Sequence, residues 1–512
     1  MKTPILGSTY VARSVNAADA RMVNLFPEIV PEAGKEPAFL NRAPGLRLLN
    51  TVGTGPIRGL WAFSPQDGVG FVVSGTELYK INNSYAATLI GSVSGFGPVS
   101  MADNGTQLFI AANGPSYIYN NTTGGFGQIT DPDFPGAVTV CYLDGYFVFN
   151  EPNSQKMWIT ALLDGTSIDP LEFASTEGSP DGLVAVASNF REVWAFGTNS
   201  IEVWYDSGAA DFPLQRIQGA FNELGCAAPY SVAKMDNGLF WLGRDRRGQG
   251  IVYRANGYAG VRISTHAVEW QIQQYGDLTD AIGYTYQQDG HSFYVLVFPL
   301  ANTTWVYDAA TQAWHERAGF ANGQFTRHRG NCQMAFNNQI VIGDYQNGRI
   351  YAFDLDDFSD NGSTQKWLRS WRALPTGTNT LKRTTQHTLQ LDCESGVGLN
   401  NTITFENTYL QAENGNFLIT ESNDYLITAQ EAINTQGRDP QVMLRFSDDG
   451  GHTWSNEHWK SMGKIGEYYK RVIWRRLGMT VKLRDRVYEL SGTDPVKITI
   501  MGAELILSPT NA

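Results

Sequence analysis

DGYFVFNEPNSQKMWIT, residues 144–160, holds the unit from which most of this chain is built. Asp144-Gly145 is a turn dipeptide, and both residue types tolerate the positive φ that a two-residue hairpin turn demands. The apolar run YFVFN follows as a strand, a short polar loop comes next, and KMWIT reads as a further strand ending near Trp158.

The same grammar recurs along the chain. Asn104-Gly105 precedes QLFIAA, Asn237-Gly238 precedes LFWLG, and Asp289-Gly290 precedes HSFYVLVF. An aromatic residue sits near the end of one strand at Tyr79, Tyr119, Trp158, Trp204, Tyr253, Tyr307 and Tyr351, at steps of 39 to 54 residues by subtraction. A unit of about four strands cannot bury both faces of its own sheet, so each sheet must pack face-on against the next. A period of roughly 40 to 50 residues with four strands is that of a β-propeller. Seven markers predict about seven blades over residues 56–366. A long array of β-sandwiches is the competing architecture, and the uneven loops count against a solenoid.

Both flanks depart from the repeat. Residues 1–55 carry Pro4, Pro27, Pro31, Pro37 and Pro44, which remove backbone donors and favour extended chain, so an N-terminal arm lying across neighbouring surface is expected. DLDDFSDNGSTQ (354–365) is a turn-rich boundary. Beyond it HTLQLDCE, QVMLRFS, YYKRVIWRRL, DRVYELS and VKITIMGAELIL predict a sandwich-like β domain over 367–512. Near 401–437 it carries an inserted hairpin, in which FLIT and YLIT begin at Phe417 and Tyr425. Its apolar residues would need a partner.

Composition narrows the function. The chain has 512 residues, 42% hydrophobic and 17% charged, with a net charge of −12. A tight nucleic-acid binder usually shows a basic surface, whereas an acidic wall lets DNA pass without sticking. Cys141, Cys226, Cys332 and Cys393 lack zinc spacing and read as free thiols of a reducing cytoplasm. MKTPILGSTYVARS lacks the apolar region of a secretory signal, and no apolar run is long enough to span a membrane.

The residues that resemble chemistry are few. Ser447, Asp449, Gly451, Thr453 and Trp454 spell S-x-D-x-G-x-T-W, the Asp-box pattern of propeller glycosidases. Each part has a local purpose: the carboxylate accepts amides across the turn, the glycines permit positive φ, and Trp454 folds back as a lid. A structural turn is therefore expected, outside the repeats. In DDFSDNGS, with Asp357 as first ligand, Ser359, Asn361 and Gly362 fall on the first half of a calcium-loop pattern, but Leu368 stands where a bidentate Glu is required. The seven His, among them His452 and His458, show no metal spacing. KWLRSWRALP (366–375) and YYKRVIWRRLG (468–478) alternate Arg or Lys with aromatics, as a partner surface or a half-buried strand would. No catalytic residue, metal or cofactor is expected.

YVARSVNAADARMVNLFPE, followed by Lys35 and APGLRLL, resembles the start of the tail-hub, or packaged-DNA stabilisation, proteins of short-tailed bacteriophages. SIEVWYDSGAADFPLQRIQGAFNELGCAAPYSVA (200–233), LDCESGVG and RFSDDGGHTWSNEHWKSMGKIGEYYKRVIWRRLG resemble their central and C-terminal regions. The resemblance implies a structural subunit of the virion tail, assembled in the host cytoplasm. It implies a homo-oligomeric, six-fold ring below the portal-adaptor ring that retains packaged DNA and holds the needle, spike or fibres. A propeller glycosidase or glycan-binding protein is the alternative function.

Overall fold

The computed structural model describes every residue except 15–16, 33, 65–67, 177, 180, 210–211, 247, 374–381, 403, 414–415, 423, 434, 482–485 and 511–512. It divides into two compact units, Gly7–Ile29 with Ala43–Arg369, and Met1–Leu6 with Val30–Arg42 and Ser370–Ala512. Among the described residues one α-helix occurs, His266–Gln273, capped by Thr265.

Among the described residues of the first unit, seven antiparallel sheets of three or more strands lie at 57–92, 100–128, 140–175, 183–222, 225–262, 282–316 and 330–354, numbered here blades 1 to 7. Each of the seven marker aromatics lies on the third strand of its blade. The blades close a ring, because seven separate apolar clusters fill seven junctions between neighbours. Phe71 and Val73 of blade 1 meet Val99 and Tyr117 of blade 2. Six blades on, Val341 and Ile350 of blade 7 meet Ile57 and Val72 of blade 1. A sandwich array would leave those last two faces wet. Here every sheet buries both faces, which is why the central strands are apolar on both sides.

The turn dipeptides act as their chemistry dictates. Leu143 pairs with Tyr146 across Asp144 (φ 45°) and Gly145 (φ 104°). Gln288 pairs with His291 across Asp289 (φ 50°) and Gly290 (φ 77°). Two expectations shift. In blade 5 the turn residues are Asp236 and Asn237, at φ 48° and 55°, and Gly238 already pairs with Met235. At Asn104-Gly105 the first register pair is Asp103 with Leu108, so the turn is longer, and Asn104 Oδ1 accepts from the Thr106 and Gln107 amides.

Residues 1–55, expected as one arm, are divided between the two units. Gly45–Thr51 is the fourth strand of blade 7, with register pairs from Asp354↔Gly45 to Arg349↔Thr51. Blade 7 supplies three strands of its own, and the N-terminal strand covers the edge that would remain open. Met22–Val23 adds beside blade 6, Val23 pairing with Glu316. There Arg21 donates both Nε and Nη2 to Glu316, at 2.8 and 2.7 Å. This part of the arm therefore packs on blades of its own chain.

In the second unit Ala38–Arg42, Thr499–Pro509, Thr384–Cys393 and Val472–Arg475 form one sheet. Val487–Gly492, Gln441–Ser447 and His458–Ser461 pair in that order in another. Leu389, Leu391, Val442, Leu444, Leu490 and Leu505 are buried, and Tyr488 Oη donates across to Gln386 Oε1 at 3.2 Å. The predicted strands lie close to these ranges; Asp485, the first residue of one of them, is outside the described residues.

The inserted hairpin has a stalk and a tip. Among the described residues, Thr404–Tyr409 and Ile427–Ile433 pair only with each other. The tip repeats every eight residues: Tyr409-Leu410, Phe417-Leu418, Tyr425-Leu426. The Leu410 amide donates to the Leu426 carbonyl, Leu426 to Leu418, and Leu418 to Leu410, at 2.8 to 2.9 Å. The three aromatic rings meet with centroids 5.3 to 5.7 Å apart. Among the described residues the result is a small pseudo-three-fold knob, tied by its own backbone, with apolar side chains at its centre and acidic ones exposed beside them.

Candidate functional site

Innermost strands from the seven blades surround a central cavity of about 540 Å³. Its lining is mostly small and apolar, with Arg58, Asp103 and Lys234 the charged members among the described residues. Arg58 is committed: its guanidinium donates to the carbonyls of Gly97, Gly75 and Ser94 at 2.6, 2.9 and 3.0 Å. Asp103 accepts from Trp61 Nε1 and Ser64 Oγ, both at 2.7 Å. These groups hold the inner turns of blades 1 and 2 together. General acid–base work needs a carboxylate or imidazole free to exchange a proton with a substrate. Among the described residues Asp103 is the one carboxylate in this lining, and both of its oxygens are engaged.

The Asp-box turn lies between Gln441–Ser447 and His458–Ser461. Asp449 Oδ1 accepts from Ser447 Oγ at 2.6 Å and from the His452 and Thr453 amides at 2.9 Å. Oδ2 accepts from Thr453 Oγ1 at 2.6 Å, and Ser447 Oγ accepts from the Gly451 amide at 2.8 Å. Gly450 and Gly451 have φ of 79° and 105°. The hydroxyls of Ser447 and Thr453, then the amides, hold the Asp449 carboxyl far below the usual range. A carboxylate so fully used does not serve as a proton carrier. Trp454 is half-buried and lies against Arg445, whose Cζ is 4.8 Å from the ring centroid, a cation–π contact. The neighbouring Asp448 binds Arg486, which donates Nε and Nη2 at 2.7 and 2.6 Å. Arg486 is buried, and its Cζ lies 4.3 Å from the Phe446 ring centroid.

The other motifs disperse. Asp357 Oδ1 accepts from the Ser359 amide and hydroxyl at 2.8 Å, and Asn361 and Gly362 form the turn at φ 52° and 76°. Leu368 is in a separate strand, Trp367–Arg372. Among the described residues no three His, Cys, Asp or Glu groups gather as metal ligands. His452 and His458 are exposed, and His458 stacks on Phe446. His315 and His328 are buried, and His291 meets Asp308 at 2.8 Å. Burial pushes the thiols of Cys141 and Cys393 up to about 12 and that of Cys226 to about 11, which leaves them poor nucleophiles.

The two basic aromatic runs part ways. Trp367 to Arg372 are all buried, an interior strand rather than a partner surface; Leu374 and Pro375 lie outside the described residues. In the second run Tyr468, Tyr469, Lys470, Arg471 and Arg475 are exposed, while Val472 and Trp474 are buried. His458–Ser461 and Val472–Arg475 are the free edges of the two sheets, linked by Trp474 Nε1 donating to the His458 carbonyl at 2.7 Å. A groove of about 1000 Å³ runs along them, lined by four basic side chains, Lys460, Lys470, Arg471 and Arg475, one acidic, Glu457, and the exposed Trp459. FLIT and YLIT were legible in the sequence, but the first copy, at Tyr409-Leu410, was missed because Gln411-Ala412 replaces Ile-Thr there. The eight-residue aromatic spacing was the available signal.

Comparison with known proteins bears on both parts of the chain. It matches the family described as bacteriophage P22 Gp10, β-propeller, over residues 1–357. It matches the family described as bacteriophage P22 Gp10, β-sandwich, over residues 403–507. A curated relative is the tail hub protein gp10 of Salmonella phage P22, 24% identical over 349 residues, covering 64% of this chain and 71% of the relative. Among solved structures, virginiamycin B lyase from Staphylococcus aureus aligns with a TM-score of 0.42 and 12% identity over 60% of this chain and 98% of its own. The Pan2 WD40 domain of Neurospora crassa aligns at 0.39 and 10% identity, over 58% and 89%.

Proposed function

The chain belongs to the bacteriophage P22 Gp10 family, and from that premise we propose that it is a structural subunit of a phage tail, the hub or nozzle ring. The observation that carries the reading is the match of both parts of the chain, propeller and sandwich, to one tail-hub family. In this reading the ring extends the DNA channel below the portal-adaptor ring, retains packaged DNA, and anchors the needle, spike or fibres. Its place is the virion, after assembly in the host cytoplasm, and its role is not enzymatic.

The size of the propeller cavity supports a DNA path outside it. The cavity of one propeller holds about 540 Å³ and is lined by the innermost strands of all seven blades, a small space beside a nucleic-acid duplex. In this reading duplex does not thread a single propeller, and the channel is built between copies. A closed ring needs heterologous contacts, one surface meeting a different surface on the next copy. A net charge of −12 keeps such a ring from gripping the phosphates that slide past it. The glycan-cleaving alternative finds no support in the Asp-box turn, whose carboxylate is consumed by its own backbone and hydroxyls. The test is the mass of the purified protein, alone and with the portal-adaptor assembly. A six-fold ring in either sample is expected; a monomer in both contradicts the reading.

A further inference from the structure

The inserted hairpin and the edge groove are opposites in charge and alike in exposed apolar surface. Residues 399–437 contain Glu406, Glu413, Glu421, Asp424 and Glu431 and not one Lys, Arg or His. At the tip Leu410, Leu418 and Leu426 are 40%, 39% and 39% exposed, an almost equal triad set by the pseudo-three-fold backbone. Glu413, Glu421 and Asp424 are exposed around it. An apolar centre with a charged rim is the anatomy of a protein contact.

The groove has the complementary plan. Trp459 is 54% exposed and Ile473 half-buried, flanked by exposed Lys460, Lys470, Arg471 and Arg475. Among the described residues no ion pair engages Lys460, Arg471 or Arg475, and Lys470 reaches Glu467 only at 3.9 Å. The two strand edges that bound the groove have no further strand beyond them among the described residues. Four basic side chains gathered in a chain of net charge −12 select an acidic occupant. The exposed aromatic and aliphatic groups select one that also brings apolar surface, which a phosphate backbone does not.

We propose that the 409–428 knob of one copy docks in the groove between His458–Ser461 and Val472–Arg475 of the next copy. Knob and groove are different surfaces, so the contact is heterologous, and its repetition generates a ring when the rotation between copies closes. The stalk strands of six to seven residues give the knob a reach on the order of 20 Å from the sandwich. The inference rests on the ring reading above and names the contact that holds it.

Charge exchange on the full chain tests it, with native mass spectrometry and sedimentation over a concentration series. Glu413→Lys with Glu421→Lys reverses the knob, and Lys470→Glu with Arg471→Glu reverses the groove. All four sites are exposed, and unchanged melting of each variant serves as the folding control. Each pair alone is expected to weaken self-association at least tenfold, and the four together are expected to recover most of it. Single reversals that associate like the unaltered protein overturn the docking while leaving the ring reading standing. The docking is equally overturned if the fourfold variant fails to recover, or if groove reversal abolishes binding to duplex DNA without changing the mass. An unaltered chain that stays monomeric at every concentration and with the portal-adaptor assembly overturns both.

Discussion

Arg47 and Asp354 stand 307 positions apart in the chain, yet Arg47 Nε donates to Asp354 Oδ2 at 2.6 Å. The bond lies at the seam where Gly45–Thr51 completes blade 7 and so joins the two ends of the propeller. Leu46 beside it is fully buried among Tyr351, Phe353 and Ile342.

The seam separates packing from charge. Leu46→Ala should cost about 2–5 kcal/mol through the cavity it leaves. Arg47→Ala, losing a half-exposed ion pair, should cost less than about 1 kcal/mol. Urea unfolding of the propeller measures both. Equal effects would mean that the N-terminal strand is not the closing strand.

The Asp-box region should divide in the same way. Asp448→Ala leaves the buried Arg486 guanidinium without its carboxylate, a loss on the order of 3–5 kcal/mol. Trp454→Ala removes a partly exposed cation–π contact and should cost only about 0.5–1 kcal/mol. Thermal melting ranks them, and the reverse order would contradict the geometry.

Acid should weaken the propeller through its buried imidazoles. Burial and the nearby Arg317 hold His315 well below its ordinary value and bring His328 to about 3. Their folded values lie below the unfolded one, so the unfolded chain binds more protons as pH falls from about 6.5, and stability falls with it. For His328 the loss at pH 5 is about 2 kcal/mol, and His315 acts in the same direction. His291 opposes this: its bond to Asp308 raises its value, so its contribution is complete below the unfolded value and fades as pH rises through the folded one. His328→Gln should flatten the fall in stability between pH 7 and pH 5; an unchanged slope would contradict the assignment.

Thiol reactivity reports the same burial. Cys141 and Cys226 should resist iodoacetamide at neutral pH in the folded protein and react on unfolding. Fast labelling of the native chain, read by peptide mass, would show that these blades open.

The sequence made the blades legible because two local signals repeat. Turn dipeptides such as Asp144-Gly145 need positive φ wherever they fall, and the third strand of each blade carries its aromatic. Long-range pairing left no such mark. Nothing in APGLRLL says that Gly45–Thr51 will pair with Arg349–Asp354, because register across three hundred residues is set by the edge left open. Nor does KWLRSWR announce its burial, since alternating Arg and Trp also suits an exposed face. The Asp-box turn was readable because every bond to Asp449 comes from within four residues of it. The knob was half readable, its first repeat hidden by Gln411-Ala412.

Imaging of purified phage particles carrying an affinity label on this chain tests the central claim most directly. The account predicts labelled propellers arranged as one ring at the tail vertex, with the DNA path running between copies and not through any single propeller. Particles with an intact tail and retained genome but no label at that vertex would contradict it.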